Sequence, residues 1–360
     1  MTEGNHSFDI LLDGATGNMT EVEVRPEYRI AADATAALER RLEVYEDIID
    51  SEVGDTTMVR ARTLERALGI RQLYLKFEGG NPSGTQKDRI AFLQCMDSLR
   101  RGFDTITMAT CGNYGVAMAM AASLAGLRCE IFIPGGYHTR RVREMTDLGA
   151  VIIRVPGDYE HAVMASQVHA EAKEFYDANP GGQNTSLQLQ GYGQIAFEIY
   201  DELRDAPSIV AVPVSNGTTL AGIGRGFASL YRRGKTSKVP HIVAGSSFRK
   251  NPVVTSFLKG YPTCRDLDPV HIRETAVNEP LINWHAIDGD LALSAIRQSE
   301  GWADHASDRS MRQFSKLIRE KEGLQVLPAS TAGLIALIQQ HQKEALPPDR
   351  YVAILTGRKA

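Results

Sequence analysis

Short apolar runs, each closed by a small or polar turn and followed by a stretch with apolar residues every three to four positions, recur along most of this chain. The runs Thr105–Thr110, Glu130–Pro134, Val151–Val155, Ile209–Val214 and the one within Tyr351–Gly357 read as strands. Continuous apolar runs of this kind suit strands covered on both faces. Helical spacing appears at Ala34–Ile49, Ile90–Leu99, Val116–Leu124, Arg140–Leu148 and Tyr159–Tyr176. The alternation predicts an α/β fold of parallel twisted sheets flanked by helices. Residues 90–177 contain a full helix–strand series and are expected to form a small domain. Residues 1–89 with 178–360 then supply a larger one, and 1–50 form an extension whose helix serves packing or a dimer contact.

Composition narrows the partners. A chain of 360 residues with 43% hydrophobic and 23% charged residues is ordinary for a globular protein, and long enough for two domains or one large α/β unit. A net charge of −4 gives no reason to expect nucleic acid or an acidic membrane. The four cysteines, Cys95, Cys111, Cys129 and Cys264, lack the spacing of a zinc site or a disulfide framework. Met1–Asp13 lacks the basic start and apolar centre of a signal peptide, and no apolar stretch approaches a membrane span, so a cytoplasmic location is expected.

Four polar segments carry candidate chemistry. Lys87 lies in Asn81-Pro82-Ser83-Gly84-Thr85-Gln86-Lys87-Asp88-Arg89, between a strand and a helix. An amine held at such a junction can lose solvation and form a Schiff base, although most lysines in loops are simply solvated. Thr110-Cys111-Gly112-Asn113-Tyr114 follows a strand and opens a helix, so its N–H groups face an anion such as a carboxylate, or form a plain turn. Val214-Ser215-Asn216-Gly217-Thr218-Thr219 repeats the arrangement with three hydroxyls, which suits a phosphate at the positive end of a helix dipole. Thr356 ends the last strand with a hydroxyl. Gly222-Ile223-Gly224-Arg225-Gly226 looks like a dinucleotide fingerprint, but it falls where a helix is already under way and lacks an acidic ribose partner. His285 and His305 have no nucleophile beside them, so a Ser-His-Asp triad has no support. Glu78 and Asp88 are expected to orient loops.

In this order the four segments resemble the fold-type-II pyridoxal-phosphate enzymes (tryptophan synthase β-like), most closely the threonine synthase branch, over Gly54 to Gly357. The lysine loop is similar to Asn-Pro-x-Gly-x-x-Lys-Asp-Arg, Ala109–Gly115 to Ser-x-Gly-Asn, and Val212–Thr219 to Pro-Val-Gly-Asn. Gly54-Asp55-Thr56-Thr57-Met58-Val59 resembles the family's opening strand, with Thr57 in place of proline. The resemblance implies that Lys87 carries pyridoxal 5'-phosphate and acts as base at Cα. Asn113 would bond the cofactor's phenolate, Val214 to Thr219 its phosphate and Thr356 its pyridine nitrogen. It further implies a cofactor between the domains, a small domain that closes over an amino-acid substrate held by Thr110, Cys111, Gly112 and Tyr114, and a homodimer.

A neutral Thr356 suits elimination or replacement at the β- or γ-carbon rather than transamination. Departures from the family narrow the substrate. Gln188 stands where the family's arginine aligns, and an amide cannot offer charge-assisted contacts to a substrate phosphate. Bulkier Tyr114 replaces a small hydroxyl residue, and the chain ends at Arg358-Lys359-Ala360 without the family's longer tail. Arg140 and Arg141 remain candidates for an anionic side chain, or form a solvated helix start. The expected reaction is lyase or transferase chemistry on serine or an O-activated serine, with a small nucleophile where replacement occurs, as in cysteate synthases. A serine/threonine dehydratase-type ammonia-lyase, an authentic threonine synthase, a non-catalytic relative and a dinucleotide enzyme stand as alternatives.

Overall fold

The computed structural model describes residues 25–110, 112–136 and 141–359. In chain order the strands are β1 (Met58–Arg60), β2 (Leu73–Phe77), β3 (Thr105–Ala109), β4 (Arg128–Pro134), β5 (Val151–Val155), β6 (Tyr176–Asp177), β7 (Ile209–Pro213), β8 (His241–Ser247), β9 (Ala303–Ala306) and β10 (Tyr351–Leu355). They form a four-stranded sheet, β5-β4-β3-β6, and a six-stranded sheet, β1-β2-β10-β7-β8-β9. Every pairing is parallel except β1 with β2. Helices follow most strands and return the chain to the starting edge, which is what parallel pairing requires. The apolar runs of β3, β7 and β10 are buried at every position, as their composition predicts.

Two compact units result. The first joins the described residues up to Gly54 with Asn81–Leu187, and holds the four-stranded sheet. Its central helix, Asn113–Ala125, is apolar nearly all round and correspondingly buried. The helix Leu38–Glu52 lies against it: the Tyr45 hydroxyl donates to the Ala121 carbonyl at 3.0 Å, and the Tyr45 ring stacks with Phe92 at 6.0 Å. The second unit joins Asp55–Gly80 with Gln188–Ala360 around the six-stranded sheet. Leu73, Leu75, Ala211, Val243, Ala353 and Leu355 form its core with Leu334 and Leu337.

The expected boundaries at 89 and 178 therefore shift. Residues up to 54 and 81–89 belong with the four-stranded unit, because Val44, Tyr45 and Ile48 bury there and Asn81 Oδ1 accepts the Gly54 N–H at 3.0 Å. Residues 178–187 follow them, with the Ala178 N–H bonded to the Thr107 carbonyl at 2.8 Å. The helix Leu38–Glu52 therefore packs within the four-stranded unit.

Gly222–Gly226 lies inside the helix Thr218–Arg232. A Cβ on Gly226 would stand 2.6 Å from the Gly193 carbonyl oxygen and 2.7 Å from Ala196 Cβ, so this glycine permits close contact with the helix Thr185–Leu203. The polar exception in the β2 interior is Lys76, whose Nζ lies 2.5 Å from Glu198 Oε2 and donates to the Thr56 carbonyl. Among the described residues, no helix is long and apolar enough to cross a membrane.

Candidate active site

In the four-stranded unit, the loop around Lys87 is built as a tight turn. The Gly84 N–H donates to the Asn81 carbonyl at 2.8 Å, and Gly84 takes φ +87°, which glycine adopts without strain. Buried Asp88 closes the loop by accepting the Ser83 N–H at 2.9 Å. Asp88 thereby orients the loop, as expected. Lys87 follows half-buried at the start of the helix Asp88–Arg100, its N–H donated to Thr85 Oγ1 at 3.2 Å. Its Nζ stands 5.7 Å from the centroid of the Tyr114 ring, within cation–π range.

Thr110, Gly112, Asn113 and Tyr114 lie where β3 passes into the helix Asn113–Ala125; Cys111 lies outside the described residues. Buried Asn179 accepts the Ala109 N–H at 2.9 Å and so braces the end of β3. The Tyr114 hydroxyl is directed at Gln94 Oε1 and at the Ala178 carbonyl, 3.0 Å away. Among the described residues, the half-buried Asn113 amide has no partner within the chain. Arg141 and Glu144 are both largely buried and pair at 2.5 Å, so Arg141 is not a solvated helix start. Arg140 lies outside the described residues.

In the six-stranded unit, Val214 to Thr219 connect β7 to the helix Thr218–Arg232. The first N–H groups of such a helix have no intrahelical acceptor and suit an anion. Gly217 takes φ +97°, and a Cβ there would meet the Asp288 carbonyl oxygen at 2.8 Å and Ala292 Cβ at 2.9 Å. The Ser215 and Thr219 hydroxyls have no partner within the chain among the described residues. Thr218 differs: its hydroxyl proton is donated to Asp288 Oδ2 at 2.5 Å, leaving its backbone N–H for an anion. Asn216 is held by the Asp288 N–H at 3.0 Å and by Asn283 Nδ2 at 2.7 Å. Asn251 supports both neighbours, with its Nδ2 2.9 Å from the Ser215 carbonyl and 3.0 Å from Asn283 Oδ1.

At the end of β10, Thr356 Oγ1 lies 3.2 Å from Oγ of fully buried Ser330, which also accepts the Gly357 N–H at 3.1 Å. Gln188 is fully buried on the helix Thr185–Leu203. Burial pushes the thiols up at Cys95, at Cys129 to about 12 and at Cys264 to about 11, so none of these three presents a thiolate at neutral pH.

Sequence reading did not find Gln94, Asn179, Asn251, Asn283, Asp288 or Ser330. Their partners lie 20 to 84 positions away for Gln94, and up to 72 for the others by residue number, and no local motif marks them. Asn251 alone carried a signal, since Asn-Pro opening an apolar run marks a helix start.

These parts fit pyridoxal 5'-phosphate: a half-buried amine, a glycine-dependent cradle with two available hydroxyls, and a neutral hydroxyl at a strand end. The chain belongs to the family of pyridoxal-phosphate dependent enzymes, whose model matches residues 49–357. It is 30% identical to the threonine synthase of Methanocaldococcus jannaschii over 307 residues, covering 84% of this chain and 74% of that protein. It is 27% identical to the threonine synthase of Methanosarcina acetivorans over 317 residues, covering 88% and 76%. The structure of maize serine racemase superposes with a TM-score of 0.74 at 18% identity, covering 89% of this chain and 92% of that one. The protein is a fold-type-II pyridoxal-phosphate enzyme acting on amino acids.

Proposed function

We propose that this enzyme carries out β-elimination or β-replacement on serine or an O-activated serine. The observation that carries the reading is the Thr356–Ser330 hydroxyl pair at the end of β10. A neutral hydroxyl does not hold a pyridine nitrogen protonated as a carboxylate does, which favours rapid loss of a leaving group over a long-lived carbanion. When bound, pyridoxal 5'-phosphate supplies the sink for the electron pair left at Cα.

The chain's own residues do the rest. Lys87 would hold the cofactor through its amine, and the same amine would move the proton at the substrate Cα. Thr110 to Tyr114 bind the substrate carboxylate through backbone N–H groups, and Asn113 donates to the cofactor's ring oxygen. Ser215, Thr219 and the N–H groups of Asn216 to Thr219 anchor the phosphate, which fixes position rather than performing chemistry. Gln188, buried and uncharged, supports a substrate without a phosphate on its side chain.

The test is a visible-absorbance titration of the holoenzyme with serine, O-phosphoserine, threonine and O-phosphohomoserine, followed by product analysis. A spectral response and turnover with a serine compound, both lost in Lys87→Ala, are expected. Turnover of O-phosphohomoserine with none of the serine compounds would overturn the substrate assignment. Release of ammonia without added nucleophile distinguishes elimination from replacement.

A further inference from the structure

We infer that the Tyr114 ring is the wall that limits substrate side-chain length beside Lys87, selecting amino acids whose leaving group sits on Cβ. This rests on the reading of Lys87 as the group that moves the Cα proton. Three observations within the four-stranded unit carry it.

First, the ring is near the amine: its centroid is 5.7 Å from Lys87 Nζ. A base must approach the reacting carbon to about 3–3.5 Å, and a carbon packs against an aromatic carbon at about 3.5–4.0 Å. Those two contacts do not fit in line within the available distance. A Cα in reach of Lys87 therefore sits beside the ring, and atoms added toward the ring collide with it early.

Second, the ring is fixed at both ends. Its backbone is in the first turn of the helix Asn113–Ala125, and its hydroxyl faces Gln94 and the Ala178 carbonyl. Gln94 is fully buried and its own Nε2 lies 3.4 Å from the same carbonyl. Ala178 is in turn bonded to β3 through the Thr107 carbonyl at 2.8 Å. Swinging the ring aside breaks buried hydrogen bonds anchored on the sheet, which a small misfit does not repay.

Third, the surroundings leave it little play. Tyr114 is only 6% exposed, and the next residue, Gly115, is packed so closely that a Cβ would stand 2.5 Å from Thr110 Cγ2 and 2.7 Å from Met145 Cε. The backbone carrying the ring is therefore held as well as its tip. A rigid wall discriminates by length, because it cannot retreat to admit another methylene.

The experiment uses a ladder of amino acids without a leaving group: L-alanine, L-2-aminobutyrate and L-norvaline. Equilibrium binding to the holoenzyme is read from the visible-absorbance change and, independently, from the thermal shift. For the wild type, affinity is expected to fall about tenfold or more per added methylene. Tyr114→Thr is expected to bring norvaline within about threefold of alanine, while Tyr114→Phe keeps the steep ladder because the ring remains. If Tyr114→Thr does not fold, Tyr114→Leu is read in the same way. A flat wild-type ladder, or a steep ladder unchanged in the Thr or Leu variant, overturns the wall alone. Failure of all three amino acids to bind the wild type would overturn the reading of Lys87 as well.

Discussion

Replacing Asn251 by alanine removes a side chain that supports a helix and the phosphate cradle together. Asn251 is fully buried, and its Oδ1 accepts the N–H groups of Val253 and Val254 at 3.0 and 3.2 Å, capping the helix Pro252–Leu258. Loss of such a cap costs about 1 kcal/mol. Its Nδ2 also serves the Ser215 carbonyl and Asn283 Oδ1, neither of which has another donor among the described residues. Both acceptors are half-buried, so water replaces part of what is lost and each costs about 1 kcal/mol. The variant should lose about 3 kcal/mol in urea unfolding. The apo-protein should also bind pyridoxal 5'-phosphate about tenfold more weakly for each 1.4 kcal/mol that the loop contributes to holding it. Asn251→Asp separates the two roles. Its carboxylate restores the cap and about 1 kcal/mol of stability, but it donates nothing to Ser215, so cofactor affinity stays low. A stability loss well under 1 kcal/mol, or full stability loss with unchanged cofactor affinity, would refute the argument.

Three further outcomes follow from the same structure. Gly217→Ala forces an L-residue into φ +97° and places its Cβ 2.8 Å from the Asp288 carbonyl oxygen; the conformation alone costs about 1–2 kcal/mol, and unchanged cofactor affinity in a titration would count against the cradle. Lys76→Met removes one partner of a buried pair whose side chains are 2% and 13% exposed, at a cost of about 3–5 kcal/mol. Adding Glu198→Leu should recover much of that in a double-mutant cycle, and strictly additive losses would contradict coupling. His305 is held below its ordinary range by burial first and by Arg249 second, against the opposing pull of Asp304. Because its folded pKa lies below the unfolded value of about 6.5, its neutral form contributes fully above that pH, and stability falls as pH drops from there toward the folded pKa. His305→Gln should flatten that part of the stability profile, measured by urea unfolding across pH 5–7 in steps of about half a unit.

The fold class was legible because its signals are local. Thr105–Ala109, Ile209–Pro213 and Tyr351–Leu355 are apolar enough to demand burial on both faces, and the small polar residues after each strand mark where the chain must turn. The glycine run 222–226 was legible in part: its position inside a helical stretch argued against a nucleotide loop, while its close packing on Gly193 and Ala196 came only from the structure. Domain boundaries were not. Helical spacing shows that Leu38–Glu52 has an apolar face, but nothing in it names Phe92 and Ala121 as the surfaces that cover that face.

Residue types and turn chemistry by themselves determined that this chain has an α/β fold, a lysine at a strand-to-helix junction, and polar turns that suit anions at helix starts. Only the tertiary structure decided how those groups are spent. It commits the Thr218 hydroxyl to Asp288 and the Arg141 charge to Glu144, sets Ser330 beside Thr356, and fixes the Tyr114 ring over Lys87 through Gln94 and Ala178. A hydrogen bond or an ion pair is made over about 3 Å in space. Burial makes each such pairing costly to break, and most of the deciding pairs join residues that only the packing of distant elements brings together.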